Sequence, residues 1–282
     1  MGGVAIVTDS TANLPESATD YWGIRVVPVQ VIVGSEVYDE GVEITAGRVA
    51  EVMRQRMAVT TSRPSPARIL DVYRRLADEG FDAVVSAHLS SDLSGTYDAA
   101  CLAAEESPIP VTCVDSRTIS MGLGYACVAG CRVAGRGGDV AAVAAAVREV
   151  ASRSRVLFYV DSLEYLRRGG RIGSAERWIG QALAVKPILH VAKGRVQPLE
   201  KVRTAAKALG RLEDLAVEYA GEIPCDIAVM HLGAAARADG LAEKLRRRLP
   251  EDDVLVGEVG AVIGSHVGPG MVAVVVAPVP AP

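Results

Sequence analysis

The sequence predicts a two-domain α/β protein, with a mainly parallel α/β/α sandwich in its first half and an α+β domain with a mixed sheet in its second. Three observations carry this. β-branched runs alternate with amphipathic helical patterns up to about residue 153, the order of βαβα units around a parallel sheet. A hairpin pattern follows at 187–204, and a hairpin requires antiparallel neighbours. Finally, 282 residues, 50% of them hydrophobic, exceed the usual size of a single core.

Taken in order, VAIVTD (4–9), IRVVPVQVIV (24–33), DAVVSAHLS (82–90) and PVTCVDS (110–116) are strand-like runs closed by turn residues. Between them, ARILDVYRRLADEG (67–80) carries an apolar stripe of Ile69, Leu70, Val72, Tyr73 and Leu76 and stops at Gly80. An Ala-rich helix over 138–153 closes the first domain, which is assigned to 1–154. The second, 155–282, opens with strand VLFYVDS (156–162), a short helix LEYLRRGG and a helical stretch through ERWIGQALAV. The hairpin then turns at Lys193-Gly194, followed by helix 205–220, strand 226–233, helix 237–249 and two final strands, VLVGEVG and MVAVVVAP. Two such halves leave a cleft between them, a favoured place for a ligand.

Composition excludes several functions. A net charge of −4 with interspersed signs provides no basic footprint for nucleic acid and no polybasic anchor for a lipid surface. No apolar run approaches the roughly 18 residues of a spanning helix, so no stable membrane insertion is expected. No basic leader precedes an apolar segment, and a cytoplasmic location is expected. The five cysteines form no C-x-x-C pair; Cys127 and Cys131, four apart, would share a helix face as buried thiols, and no metal site is expected. Gly122-Leu123-Gly124 lacks the third glycine of a dinucleotide fingerprint, and no phosphate-binding G-x-x-x-x-G-K-[ST] occurs, so no cofactor is expected.

What remains is a set of hydroxyl- and Gly-rich turns at strand ends: VTDSTANLP, TTSRPSP, SSDLSGTY and GSHVGPG. Hydroxyls and backbone N–H groups gathered at such ends can hold an anion without reacting with it. Asp9 and Asp115 follow strands and read as turn caps. In Thr60-Thr61-Ser62-Arg63-Pro64-Ser65-Pro66 the prolines stiffen the backbone before a helix that Ser65 caps, leaving Thr61 and Ser62 for a ligand. Ser94 and Gly95 precede a helix starting near Thr96, where an anion is welcome. Ser94 lacks the glycine two positions earlier that a nucleophile elbow requires. Of the four histidines, His266 lies in a Gly-rich turn, His88 and His190 lie inside strands, and His231 ends one. On the residues alone, a binding protein and a Ser94/His266 hydrolase both remain open.

Seven motifs in register, VTDSTANLP, TTSRPSP, SSDLSGTY, VDSRTISMGLG, VDSLEYLRRGGRIG, KPIL and GSHVGPG, resemble the DegV family of fatty-acid-binding proteins over essentially the whole chain. The resemblance implies a tunnel at the domain interface holding one long-chain fatty acid. In members of the fatty-acid-kinase type, the carboxylate is presented to a separate ATP-dependent kinase that makes the acyl phosphate for phospholipid synthesis. Carried over to this chain, the carboxylate contacts fall on Thr61, with Ser62 as alternate, on Ser94 with the Gly95 backbone, and on His266. Arg171 and Arg203 match basic positions near the head group or the partner surface. Arg63 departs from a frequent Gln. The resemblance implies a carrier and not an enzyme; a lipid sensor without a kinase is the alternative.

Overall fold

Proline decides where the first domain divides. The computed structural model describes residues 3–178, 186–221 and 223–280. In chain order its elements are β1 (Val4–Asp9), α1 (Glu16–Trp22), β2 (Arg25–Val27), β3 (Gln30–Val33), β4 (Glu36–Asp39), α2 (Ala46–Arg54), β5 (Val59–Ser62), α3 (Pro66–Asp78), β6 (Ala83–His88), α4 (Thr96–Glu105), β7 (Val111–Asp115), α5 (Met121–Gly135), α6 (Val140–Arg153), β8 (Arg155–Tyr159), α7 (Glu164–Arg168), β9 (Lys186–Ala192), β10 (Arg195–Val202), α8 (Ala205–Ala220), β11 (Cys225–His231), α9 (Ala235–Arg248), β12 (Asp253–Glu258), α10 (Ala261–Val267) and β13 (Val272–Pro278). The single strand expected over 24–33 is two strands. Pro28 has no N–H to continue a ladder, so β2 stays in a parallel sheet while β3 leaves for a separate antiparallel one.

The parallel sheet has the order β2-β1-β6-β7. Helices α3 and α4 cover one face, where Ile69, Leu70, Tyr73 and Leu76 meet Val7 and Val84. The expected stripe is therefore the buried one except for Val72, which is half-buried at its edge, and Ser65 caps α3 by accepting from Arg68 N. Helices α5 and α6 cover the other face and reach the second sheet as well. Small residues make this double contact close: a Cβ on Gly130 would sit 2.7 Å from Val147 Cγ2 and 3.2 Å from Ile6 Cδ1. Cys127 and Cys131 are buried on this helix as free thiols.

The second sheet is mixed, in the order β10-β9-β8-β13-β11-β12, with only β11 and β12 parallel. Period-2 alternation divides its faces: Leu157 and Tyr159 pack under α8 and α9, while Val156 and Phe158 point the other way, toward the first domain. The β9–β10 hairpin turns where the sequence predicts. Lys193 (φ 52) and Gly194 (φ 80) both take positive φ, as a type I′ turn requires. That turn is tied to the first domain by Ser90 Oγ donating to Gly194 O at 2.7 Å and by Arg195 Nη2 to Asp92 Oδ1 at 2.6 Å.

The third sheet, β4-β3-β5, was not expected. Its strands have four residues each, too short to show a period. It packs with α2 and α10 through Val31, Val49, Met53 and Val262, so a first-domain sheet and a second-domain helix share one small core. Of the helical stretch expected through 185, Gly173–Trp178 forms a 3-10 helix, and 179–185 lies outside the described residues.

Gly130→Val should cost about 2 kcal/mol, in the range of overpacking a filled interface. Urea unfolding measures it, and an unchanged midpoint would contradict the close α5–α6 contact.

Candidate functional site

Both domains and the third sheet wall a single cavity of about 380 Å³. Its apolar lining comes from strand faces turned inward, such as Val156 and Phe158 of β8, Ala273 of β13, and Val191 and Val196 of the hairpin, with Val262 and Ile263 of α10 opposite. One of the two phenylalanines takes part; the remaining apolar lining is aliphatic apart from Met271. Against it stand Thr61, Ser62, Arg63, Ser94, Ser120, Arg171 and His266, with the Gly95 backbone.

The structure thus brings six of the seven expected site residues, Thr61, Ser62, Ser94, Gly95, Arg171 and His266, to one cavity from four separate segments. Arg203 is not among the lining residues; it is exposed just beyond β10, which places it away from the cavity. One local expectation changes. His266 sits in the last turn of helix α10, not in a turn, because only Gly268 and Gly270 beyond it take positive φ. Thr61 and Ser62 end strand β5, at a strand end as their hydroxyl-rich turn suggests, with Thr61 registered against Val31.

The polar atoms are held by local bonds. Thr61 Oγ1 and His266 Nε2 are 2.9 Å apart. Ser62 Oγ donates to Gln30 Oε1 at 3.0 Å, and Ser94 Oγ pairs with Thr96 Oγ1 at 2.9 Å. Arg171 spans the domains, donating Nε to Leu93 O at 3.0 Å and Nη1 to Gly169 O at 2.7 Å. Burial, and secondarily the Arg171 charge, hold His266 down to about 4, so the imidazole is neutral near pH 7. Arg63 Nη1 reaches Gly95 O at 3.4 Å. The set consists of hydroxyls, a neutral ring and two guanidinium groups, the chemistry that receives an anion.

A Ser–His–Asp series lies outside the cavity lining, buried in the first domain. Asp9 Oδ2 meets His88 Nδ1 at 3.0 Å and His88 Nε2 meets Ser86 Oγ at 2.8 Å, with Tyr73 OH donating to Ser86. All four side chains are fully buried, and Asp9 also caps the turn after β1 by accepting from Thr11 N. They tie β1, β6 and α3 together, the structural role expected of Asp9. Among the described residues, no three His, Cys, Asp or Glu side chains could hold a metal, and no helix is long and apolar enough to cross a membrane.

A family model described as "Uncharacterised protein, DegV family" matches residues 3–279. A DegV domain-containing protein of Streptomyces coelicolor is 52% identical over 274 residues, spanning 97% of this chain and 98% of that protein. A DegV family protein from Thermus thermophilus, described as binding fatty acid, superposes with a TM-score of 0.92 at 35% identity, covering 98% of this chain and 100% of its own. DegV of Bacillus subtilis, described as a fatty acid binding protein, superposes at 0.92 with 32% identity, over 99% and 100% of the two chains.

One residue beneath the site had no local signal. Glu40 is 5% exposed; it accepts from Ser10 Oγ and, at 2.7 Å, from Val262 N in the first turn of α10. Its partners are 30 and 222 residues away, beyond any motif. Burial raises its carboxyl from 4.5 to about 7. A raised folded value means that the stabilising contribution is present below the unfolded value of 4.5 and is lost as pH rises through about 7. The loss amounts to about 3 kcal/mol. Glu40→Gln keeps an acceptor for Val262 N and should flatten the stability profile between pH 4.5 and 8; equal slopes in the two proteins would refute this assignment.

Proposed function

The chain belongs to the DegV family, and we propose that it carries one long-chain fatty acid in the cavity between residues 1–154 and 155–282. The carboxylate is received by Thr61, Ser94, the Gly95 backbone and His266, with Ser62 as alternate and Arg171 nearby. The observation that carries this reading is a donor set inside an otherwise apolar cavity. Neither half would suffice alone. About fourteen methylenes at roughly 0.8 kcal/mol each contribute on the order of 11 kcal/mol, before several kcal/mol of association and ordering costs. An unpaired carboxylate would forfeit several kcal/mol of that gain, so the donors must meet the head group.

The protein is read as a carrier rather than an enzyme, needing no cofactor and working in the cytoplasm. Ser94 Oγ is paired with Thr96 Oγ1, not with an imidazole, and among the described residues His266 Nδ1 has no carboxylate to orient it, which disfavours a hydrolase. The bound carboxylate would be presented to a separate ATP-dependent fatty acid kinase for phospholipid synthesis, with exposed Arg203 on the partner surface.

Mass spectrometry of an organic extract should find about one intact fatty acid per chain. The Thr61→Ala/His266→Ala protein should retain at least about tenfold less, since each bond to a charged group contributes about 1.5–3 kcal/mol. Equal lipid content in the two proteins would sink the assignment of these residues. Acyl phosphate formed with an added acyl kinase and ATP supports the kinase-linked reading; none formed favours a lipid sensor.

A further inference from the structure

Gly169 stands in RRGGRIG between the arginines, and nothing above uses it except its carbonyl. Its backbone is ordinary right-handed helix (φ −75, ψ −9), unlike Gly170 beside it (φ 68), so its own conformation does not call for glycine. What calls for glycine is space. A Cβ there would overlap His266 Nδ1 and lie 2.8 Å from Cε1. The hydrogen that occupies that direction therefore points at Nδ1, the nearest ring atom. His266 Nδ1 is buried and has no hydrogen-bond partner among the described residues.

We propose that Gly169 is a positioning residue that holds His266 as the Nε2–H tautomer, so that the ring donates to Thr61 Oγ1 and frees the Thr61 hydroxyl proton for the ligand. This rests on the fatty-acid reading above. A proton on Nδ1 would be a buried donor aimed at a Cα–H with no acceptor, whereas the Nδ1 lone pair meets that Cα–H as a weak acceptor. With the proton on Nε2, the 2.9 Å bond runs from the ring to Thr61 Oγ1. Thr61 must then turn its own hydrogen elsewhere, and the cavity it lines is where an acceptor would lie. The Thr61 hydroxyl proton is then the one proton of this pair left for the ligand, and a carboxylate oxygen, which only accepts, is a matched partner for it.

The test is a long-range proton–nitrogen NMR correlation on the full chain labelled with nitrogen-15 histidine, at pH 7, with His266→Gln to assign the signal. The expected pattern is protonated Nε2 and pyridine-like Nδ1 for His266. Gly169→Ala, with its fold checked by circular dichroism, should lose that pattern and bind palmitate at least about tenfold more weakly. A proton on Nδ1 in the unmodified protein overturns the proposal, as does Gly169→Ala keeping both pattern and affinity. If that variant fails to fold, the unmodified protein's tautomer alone decides. A protein that binds no fatty acid at all would refute the proposed function while leaving the tautomer to be read independently.

Discussion

The bond between Thr61 Oγ1 and His266 Nε2 joins residues 205 apart in sequence, and the rest of the site is organised so that it can form. It links the end of a four-residue strand to the last turn of a seven-residue helix, neither of which could hold its place alone. Each is fixed by its neighbours. Strand β5 is clamped against β3, and α10 shares a core with α2 and that sheet while Glu40 accepts from its first turn. A polar contact inside a largely apolar cavity therefore depends on a small hydrophobic core built from both halves of the chain.

The same logic governs the other crossings between domains. Arg171 to Leu93 O, Ser90 to Gly194 O and Arg195 to Asp92 each tie a loop of one half to the other. Arg195 and Asp92 form a solvent-screened pair that adds little, whereas Ser90 is fully buried and its hydroxyl must be satisfied. These contacts set the β9–β10 hairpin against the first domain, and with it the Val191 and Val196 side chains that wall the cavity. Position, more than energy, is their contribution.

Long periodic elements were legible in the sequence. The stripe of α3, the Ala-rich α6, the helix over 205–220 and the Lys193-Gly194 turn all stand where periodicity and turn chemistry put them. The three-stranded sheet was not legible, because four-residue strands show no period and Pro28 conceals a change of sheet within one apolar run. At the site, hydroxyls before helices pointed to Thr61 and Ser94, and glycines around His266 pointed to a close approach. Glu40 and Gly169 left no signal, since each acts on a partner that only the fold supplies: Val262 for one, the His266 ring for the other.

The proposed function puts an acyl chain in one cavity with its carboxylate at the Thr61–His266 bond. A crystal structure of the protein soaked with a fatty acid bearing a heavy-atom label at the chain terminus tests it most directly. The label is expected among the inward-facing side chains of the second sheet, with the carboxylate within about 3 Å of Thr61 Oγ1. A label beside Thr61, or a chain bound outside the cavity, would contradict it.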